Sequence, residues 1–298
     1  MGSQVCYPHP TIGTDMRVLV TGSTGFIGNY VVEELLKQGH EVIASSANYK
    51  KAEIAPWFKK VTYIPLDLSE LETTVDYCKF FHEPDKMIHL AWEGLPNYKD
   101  DFHINQNLPR HLSFITNMIE NGLKDLSVTG TCFEYGMQEG CLTEDMETHP
   151  ANSYGLAKDT LRKKLEELQN DNFKLKWMRL FYMYGKGQSP NSLLSQLDRA
   201  LEKVEKSFNM SGGQQERDFL AIEKVAEYIV KIALQDKITG VVNCCSGKPI
   251  KVEKFVREYL KTKHKNIELN LGYYPYLDYE PMSFWGDNGN LKKILRND

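Results

Sequence analysis

The chain has 298 residues, 41% of them hydrophobic and 26% charged, with a formal net charge of −4. That composition describes a folded protein long enough to bury most of its apolar surface, and it excludes an intrinsically disordered chain. No basic surplus exists to follow nucleic acid, and no run approaches the roughly 18 apolar residues of a membrane helix. The first fifteen residues hold no Lys or Arg and no apolar block, so no secretory or transit leader is expected. Cys6, Cys78, Cys132, Cys141, Cys244 and Cys245 show no CxxC spacing, and the histidines form no HxxxH pair. Reduced thiols, no metal and a cytoplasmic location follow as expectations.

In chain order, Arg17 to Thr21 is a β-branched apolar run that predicts a buried parallel strand. Ile27, Val31 and Leu35, flanked by Val32 and Leu36, predict an amphipathic helix that stops at Gly39. A second strand is expected from Glu41 to Ser45 and a third from Val61 to Leu66, after which Ser69 and Glu72 have the spacing of a capping box. Lys86 to Ala91 gives a fourth strand, a helix runs from about Ile104 to Asn121-Gly122, and Leu126 to Thr131 gives a fifth strand. A long helix from about Asn152 to Asn170 buries Ala157, Leu161, Leu165 and Leu168, and Trp177 to Tyr182 is the sixth strand. A helix near Glu223 to Gln235 and a strand from Val241 to Cys245 complete the alternation.

Strands alternating with helices need crossover connections, which build an α/β, Rossmann-type, doubly wound parallel sheet. Residues 186–217 and 246–298 fall outside the alternation, the latter with its Gly272-Tyr-Tyr-Pro-Tyr-Leu-Asp-Tyr279 run. The expected organisation is an N-terminal extension (1–15), a dinucleotide-binding domain (16–185, completed by 218–245), and a smaller interleaved substrate region formed by the other two segments.

Between the first strand and helix lies Thr21-Gly22-Ser23-Thr24-Gly25-Phe26-Ile27-Gly28. Glycines at such a junction permit a tight turn and let a pyrophosphate approach the helix N-terminus, so the loop predicts dinucleotide binding. After the second strand come Ser45, Ser46, Ala47, Asn48, Tyr49, Lys50 and Lys51. No carboxylate is available there for a ribose 2′-hydroxyl, whereas hydroxyls and lysines suit a 2′-phosphate, and NADP(H) is the expected cofactor. Tyr154 and Lys158 lie one helical turn apart on one face, where an ammonium can lower a phenol pKa toward the working pH. Tyr182/Lys186 and Tyr259/Lys263 share the spacing, but only Tyr154 opens a helix soon after the fifth strand, at the cofactor edge of the sheet.

In combination these motifs resemble the extended short-chain dehydrogenase/reductases that modify nucleotide sugars. The resemblance spans residues 16–298 and includes Asp67-Leu68, His89-Leu90-Ala91, Thr129-Gly130-Thr131-Cys132-Phe133-Glu134-Tyr135-Gly136, Tyr154/Lys158 and Arg217-Asp218-Phe219. It implies a catalytic set of Thr131, Tyr154 and Lys158. It further implies cofactor contacts from Gly22 to Gly28, Ser45, Ser46, Asn48 and Lys50; from Asp67, Leu68, Leu90, Ala91 and Trp92; and from Asn105, Thr129, Tyr154, Lys158 and Phe181. A nucleotide-diphosphate sugar would meet Trp92, Thr131, Cys132, Phe133, Tyr182 and Arg217, and a homodimer would form through helices near 104–121 and 152–170.

Departures narrow the reaction. The 4,6-dehydratases of the family carry Asp-Glu directly after the Thr, where this chain has Cys132-Phe133. The 3,5-epimerase/reductases place a catalytic cysteine where Phe133 lies, and the 4-epimerases usually have the acid missing here after strand two. Tyr182 replaces a frequent Asn, and Trp92 replaces a small residue and can wall the sugar pocket. The resemblance is therefore nearest to 4-keto-6-deoxyhexose reductases, with dTDP-4-keto-6-deoxyglucose giving a dTDP-6-deoxyhexose such as dTDP-fucose as the expected reaction. A nucleotide-sugar 4-epimerase and a non-catalytic NADP-binding regulator are the rivals; the set Thr131, Tyr154 and Lys158 speaks against the regulator.

Overall fold

The computed structural model describes residues 16–170 and 172–296, so the N-terminal extension expected for 1–15 lies outside the described residues. In chain order its strands are β1 (Arg17–Thr21), β2 (Glu41–Ser45), β3 (Thr62–Tyr63), β4 (Lys86–His89), β5 (Asp125–Thr131), β6 (Gly140–Leu142) and β7 (Lys174–Leu180). Then follow β8 (Tyr182–Tyr184), β9 (Ser207–Asn209), β10 (Glu216–Ala221), β11 (Gly240–Cys244), β12 (Pro249–Lys251), β13 (Glu268–Asn270) and β14 (Phe284–Gly286). The helices are α1 (Phe26–Lys37), α2 (Tyr49–Glu53), α3 (Tyr77–Phe80), α4 (Leu108–Glu120), α5 (Ser153–Glu167), α6 (Leu193–Glu202), α7 (Ile222–Leu234), α8 (Val252–Thr262) and α9 (Gly289–Arg296).

Seven parallel strands form the central sheet in the order β11-β7-β5-β4-β1-β2-β3. This is the expected doubly wound α/β arrangement. The chain winds one way from β1 to β3 and the other way from β4, so a crevice opens at the carboxyl ends of β1 and β4. Strand residues alternate between two cores. Val18 and Val20 pack with Val31, Leu35 and Ile229 under α1 and α7, whereas Leu19 packs with Phe114, Leu161 and Trp177 under α4 and α5. Among the described residues no helix is long and apolar enough to cross a membrane.

Four local expectations are corrected. The third strand shrinks to Thr62–Tyr63, since it is the sheet's edge and its partner β2 ends at Ser45. No helix starts at Ser69: Asp67 accepts from both the Ser69 N–H (2.8 Å) and the Ser69 hydroxyl (2.7 Å), and this local turn competes with a helix cap. The helix waits for Asp76, which caps α3 through the Lys79 N–H at 3.0 Å. Leu168 follows the last turn of α5 and is 37% exposed, so it leaves the buried face. The sixth strand ends at Leu180, and Tyr182 instead begins β8, which pairs with β10 outside the central sheet.

Three small sheets tie the later segments to one another and to β6. β8, β10 and β12 form one, β9 pairs with β13, and β6 pairs with β14. Asp218 fastens the first of them by accepting the Ser246 and Gly247 N–H groups at 2.7 and 2.8 Å, and Phe219 stacks on Phe255 with centroids 3.9 Å apart.

Candidate active site

The loop between β1 and α1 is shaped by close approach. Gly22 has φ +67°, and a Cβ there would lie 2.7 Å from the Ala91 nitrogen; a Cβ on Gly28 would collide with the Gly22 carbonyl. Only glycine satisfies either position. The buried Ser23 hydroxyl donates to the Ser45 carbonyl at 3.1 Å, tying the loop to β2. First-turn N–H groups of α1 have no helical acceptor, which makes this end a natural seat for an anion.

A cavity of about 350 Å³ extends from this loop past the ends of β2 and α4. Thr24, Ser45, Ser46, Asn48, Leu68 and Ala91 line it, as do Lys51, Asn107, Arg110 and His111. Lys50 does not: Asn48 caps α2 by accepting the Lys51 N–H at 2.9 Å, and it is Lys51 that lines the cavity. Asp67 lies outside the lining, its carboxyl held below the usual range by the bonds from Ser69. Asn105 is exposed on the turn His103–Asn107. Among the described lining residues Glu93 is the one acid, and it faces Arg110 at 3.8 Å.

A second cavity of about 400 Å³ begins at Gly22, Gly25, Leu90 and Trp92, which it shares with the first, and continues to Thr131 and Tyr154. Phe26, Ile27, Gly28, Cys132, Phe133, Phe181 and Tyr182 line it together with Tyr98, Leu180 and Met183. No charged side chain appears among its described lining residues. Thr131 ends β5, and its hydroxyl accepts the Phe133 N–H at 3.3 Å. Asn152 caps α5 through the Gly155 N–H at 2.8 Å and so starts the helix at the point that sends Tyr154 into this cavity. Tyr98 clasps the same turn, its carbonyl accepting the Tyr154 N–H at 2.9 Å.

The electrostatics differ from the expected phenol tuned down by an ammonium. Burial pushes the Tyr154 hydroxyl well above its ordinary value, Tyr98, Glu134 and Cys132 push the same way, and a hydrogen bond with Thr131 opposes them. Burial lowers Lys158 to about 7, with Glu134 acting against that shift. Lys158 is 1% exposed; it donates to the Thr129 carbonyl at 2.9 Å and lies 4.0 Å from the Trp92 ring centroid. The Thr129 hydroxyl in turn donates to the His89 carbonyl at 3.3 Å. Burial also pushes the Cys132 thiol up, which leaves it a neutral wall.

Behind Thr131 sits a residue that the sequence reading did not single out. Glu134 is fully buried, accepting from the Thr131 N–H (2.8 Å), Trp177 Nε1 (2.9 Å) and Arg179 Nε (2.7 Å), with Arg162 Nε at 3.8 Å. It therefore joins the end of β5 to β7 and to α5. Arg217 lies outside both cavities. It is buried, donates to Glu280 at 3.0 Å and to the carbonyls of Glu216 and Met282, and packs over Phe284, so its guanidinium is engaged away from the expected substrate contact. Asn107, Arg110 and His111 were also missed. Their i, i+3, i+4 spacing is the signal that aligns Asn107, which precedes α4, with Arg110 and His111 on its first turn.

Residues 18–245 match the model of the NAD dependent epimerase/dehydratase family. The dTDP-6-deoxy-L-talose 4-dehydrogenase (NAD(+)) of Aggregatibacter actinomycetemcomitans is 31% identical over 273 residues, covering 91% of this chain and 99% of that protein. The dTDP-4-dehydro-6-deoxyglucose reductase of Escherichia coli is 23% identical over 292 residues, covering 94% and 89%. Among solved structures, MoeE5 in complex with UDP-glucuronic acid and NAD is 25% identical with a TM-score of 0.78, covering 94% of this chain and 92% of that one.

Proposed function

The chain belongs to the NAD-dependent epimerase/dehydratase family of nucleotide-sugar-modifying enzymes, and within it we propose an NADPH-dependent reductase of the 4-keto group of a nucleotide-linked 4-keto-6-deoxy sugar. A dTDP-sugar is the foremost substrate, in keeping with the dTDP-linked names of two relatives. The observation that supports this reading most is the second cavity: it brings Thr131 and Tyr154 to walls that are mostly apolar or aromatic and, among the described residues, carry no charge. Such walls suit the methyl group of a 6-deoxy sugar and offer a uronate carboxylate no partner.

The residues fit a dinucleotide. The Gly22–Gly28 cradle would be filled by a Cβ at either end, and Lys51 and Arg110 offer cationic groups at a mouth where the carboxyl end of β2 supplies no acid. Gly22 to Gly28, Ser45, Ser46, Lys51 and Leu68 would hold its adenosine and diphosphate, and Lys158 its nicotinamide ribose. When bound, the nicotinamide supplies the hydride for C4. Tyr154, kept protonated by its burial, donates its phenolic proton to the alkoxide oxygen as it forms, and Thr131 donates a second hydrogen bond to the same oxygen. Residues 186–217 and 246–298 would cover the sugar nucleotide. A homodimer would join α4 and α5 of each copy, and Leu156, 44% exposed on α5, is an apolar group it would cover.

The test mixes the protein with NADPH or NADH and with 4-keto-6-deoxy sugars made from dTDP-, CDP- and GDP-hexoses, following loss of reduced cofactor. We expect oxidation of NADPH in preference to NADH with one of these sugars, and a loss of about 10²- to 10⁴-fold in Tyr154→Phe. Interconversion of unmodified sugar nucleotides without added cofactor would replace the reductase with an epimerase. Silence in both assays would leave a non-catalytic protein. Sedimentation of the same sample as a 34.3 kDa monomer would refute the dimer.

A further inference from the structure

Trp92 lines both cavities, and three contacts fix its indole between them. Its Nε1–H donates to His103 Nδ1 at 3.1 Å, its ring stacks on His111 with centroids 4.5 Å apart and planes at 21°, and its face covers the Lys158 ammonium at 4.0 Å. His111 is itself held from behind: its Nδ1 shares a 2.7 Å hydrogen bond with His89 Nε2, and His89 Nδ1 shares one of 2.8 Å with the Thr21 hydroxyl. The indole thus rests on a rigid wall that starts at the last residue of β1. Lys158 spends one N–H on the Thr129 carbonyl, and the indole covers the side of the ammonium that it faces. Lys158 lines neither cavity, and a ligand running in the second cavity from the Gly22 turn to Tyr154 meets this ring before the ammonium.

We propose that Trp92 is a gate on the dinucleotide: its indole closes over Lys158 between the two cavities, and the nicotinamide half of the cofactor enters by displacing it. This rests on the dinucleotide-binding part of the proposed function. The gate adds a cost to the whole dinucleotide that the adenosine half, seated in the first cavity alone, does not meet.

The test is calorimetric and fluorimetric, without turnover, and uses NADP⁺ with its half 2′,5′-ADP, and NAD⁺ with its half ADP. In Trp92→Ala the full dinucleotide is expected to bind about tenfold tighter, the scale of one cation–π contact and one ring stack released. The half-ligand, whose cavity Trp92 also helps to line, should change far less than the full dinucleotide, and its binding shows that the variant is folded. Trp92→Phe, which keeps a ring but no N–H donor, should fall between. Indole fluorescence should change with the full dinucleotide, not with the half, and the change should vanish in Trp92→Phe. Weaker or unchanged dinucleotide binding in Trp92→Ala, with normal half-ligand binding, would overturn the gate and leave the reductase standing. Failure of every dinucleotide and half-ligand to bind the wild type would overturn both.

Discussion

Glu134 allows the most demanding test of how this site is built. Glu134→Ala leaves Arg179, 1% exposed, without its carboxylate, and strands the N–H groups of Thr131 and Trp177. Breaking a buried ion pair costs about 3–5 kcal/mol, and each stranded buried donor about 1–3 kcal/mol, part of which water entering the space would restore. A net loss of about 5 kcal/mol is expected, comparable with the whole stability of many domains. Glu134→Gln keeps the volume and an acceptor oxygen for Thr131 and removes only the charge, so about 3 kcal/mol is expected, read as a fall in the urea midpoint of about 1 M or more. Arg179→Met in that background removes the orphaned cation. The double variant should therefore lose about 1–3 kcal/mol less than the sum of the singles. A Glu134→Gln midpoint within experimental error of the wild type, or strictly additive losses, would refute the view that this carboxylate locks the Thr131 turn through Arg179.

Lys158 is depressed from an ordinary value near 10.5 to about 7, so between those pH values the unfolded chain binds a proton that the folded chain does not. Stability referable to this group therefore rises with pH across that window and is flat below about 7. Lys158→Met should stabilise the protein most near pH 7 and progressively less toward pH 10; urea midpoints of the two proteins that run parallel over that range would show the shift is absent. Gly28→Ala forces a Cβ into the Gly22 carbonyl and against Ser23, backbone that cannot yield without moving the loop. A thermal midpoint lowered by several degrees together with at least tenfold weaker NADP⁺ binding is expected, and calorimetric binding equal to wild type would disprove the close-approach argument.

Local periodicity made the parallel sheet legible, because β1, α1 and the glycine turn between them state their structure within twenty-odd neighbouring residues. Tyr154 and Lys158 showed locally as a helical pair and Thr131 through the family resemblance, whereas Tyr98, Leu180 and Met183 of the second cavity carried no signal in the sequence. What the sequence hid is non-local. Glu134 precedes Tyr135 like any charged turn residue, and its meaning comes only from Arg179 and Arg162 arriving on other elements. The partner of Arg217 lies 63 residues away at Glu280, beyond the reach of any neighbour rule. Ser69 and Glu72 had the right spacing for a cap, but Asp67, two residues earlier, took the Ser69 donors first. The tyrosine and lysine spacing was correct, yet desolvation outweighed the pairwise attraction expected from it.

The pairing of β6 with β14 has a consequence for how the protein is made. The strands that frame the glycine turn are complete by residue 131, whereas β6 at 140–142 must wait for 284–286 to emerge before it finds its partner. A growing chain can therefore assemble the phosphate-binding half of its crevice early, but the apolar cluster that packs Leu142 and Phe284 with Cys132, Phe133 and Tyr154 is completed by one of its last strands. Closing so long a loop is the slow, high-contact-order step of the fold.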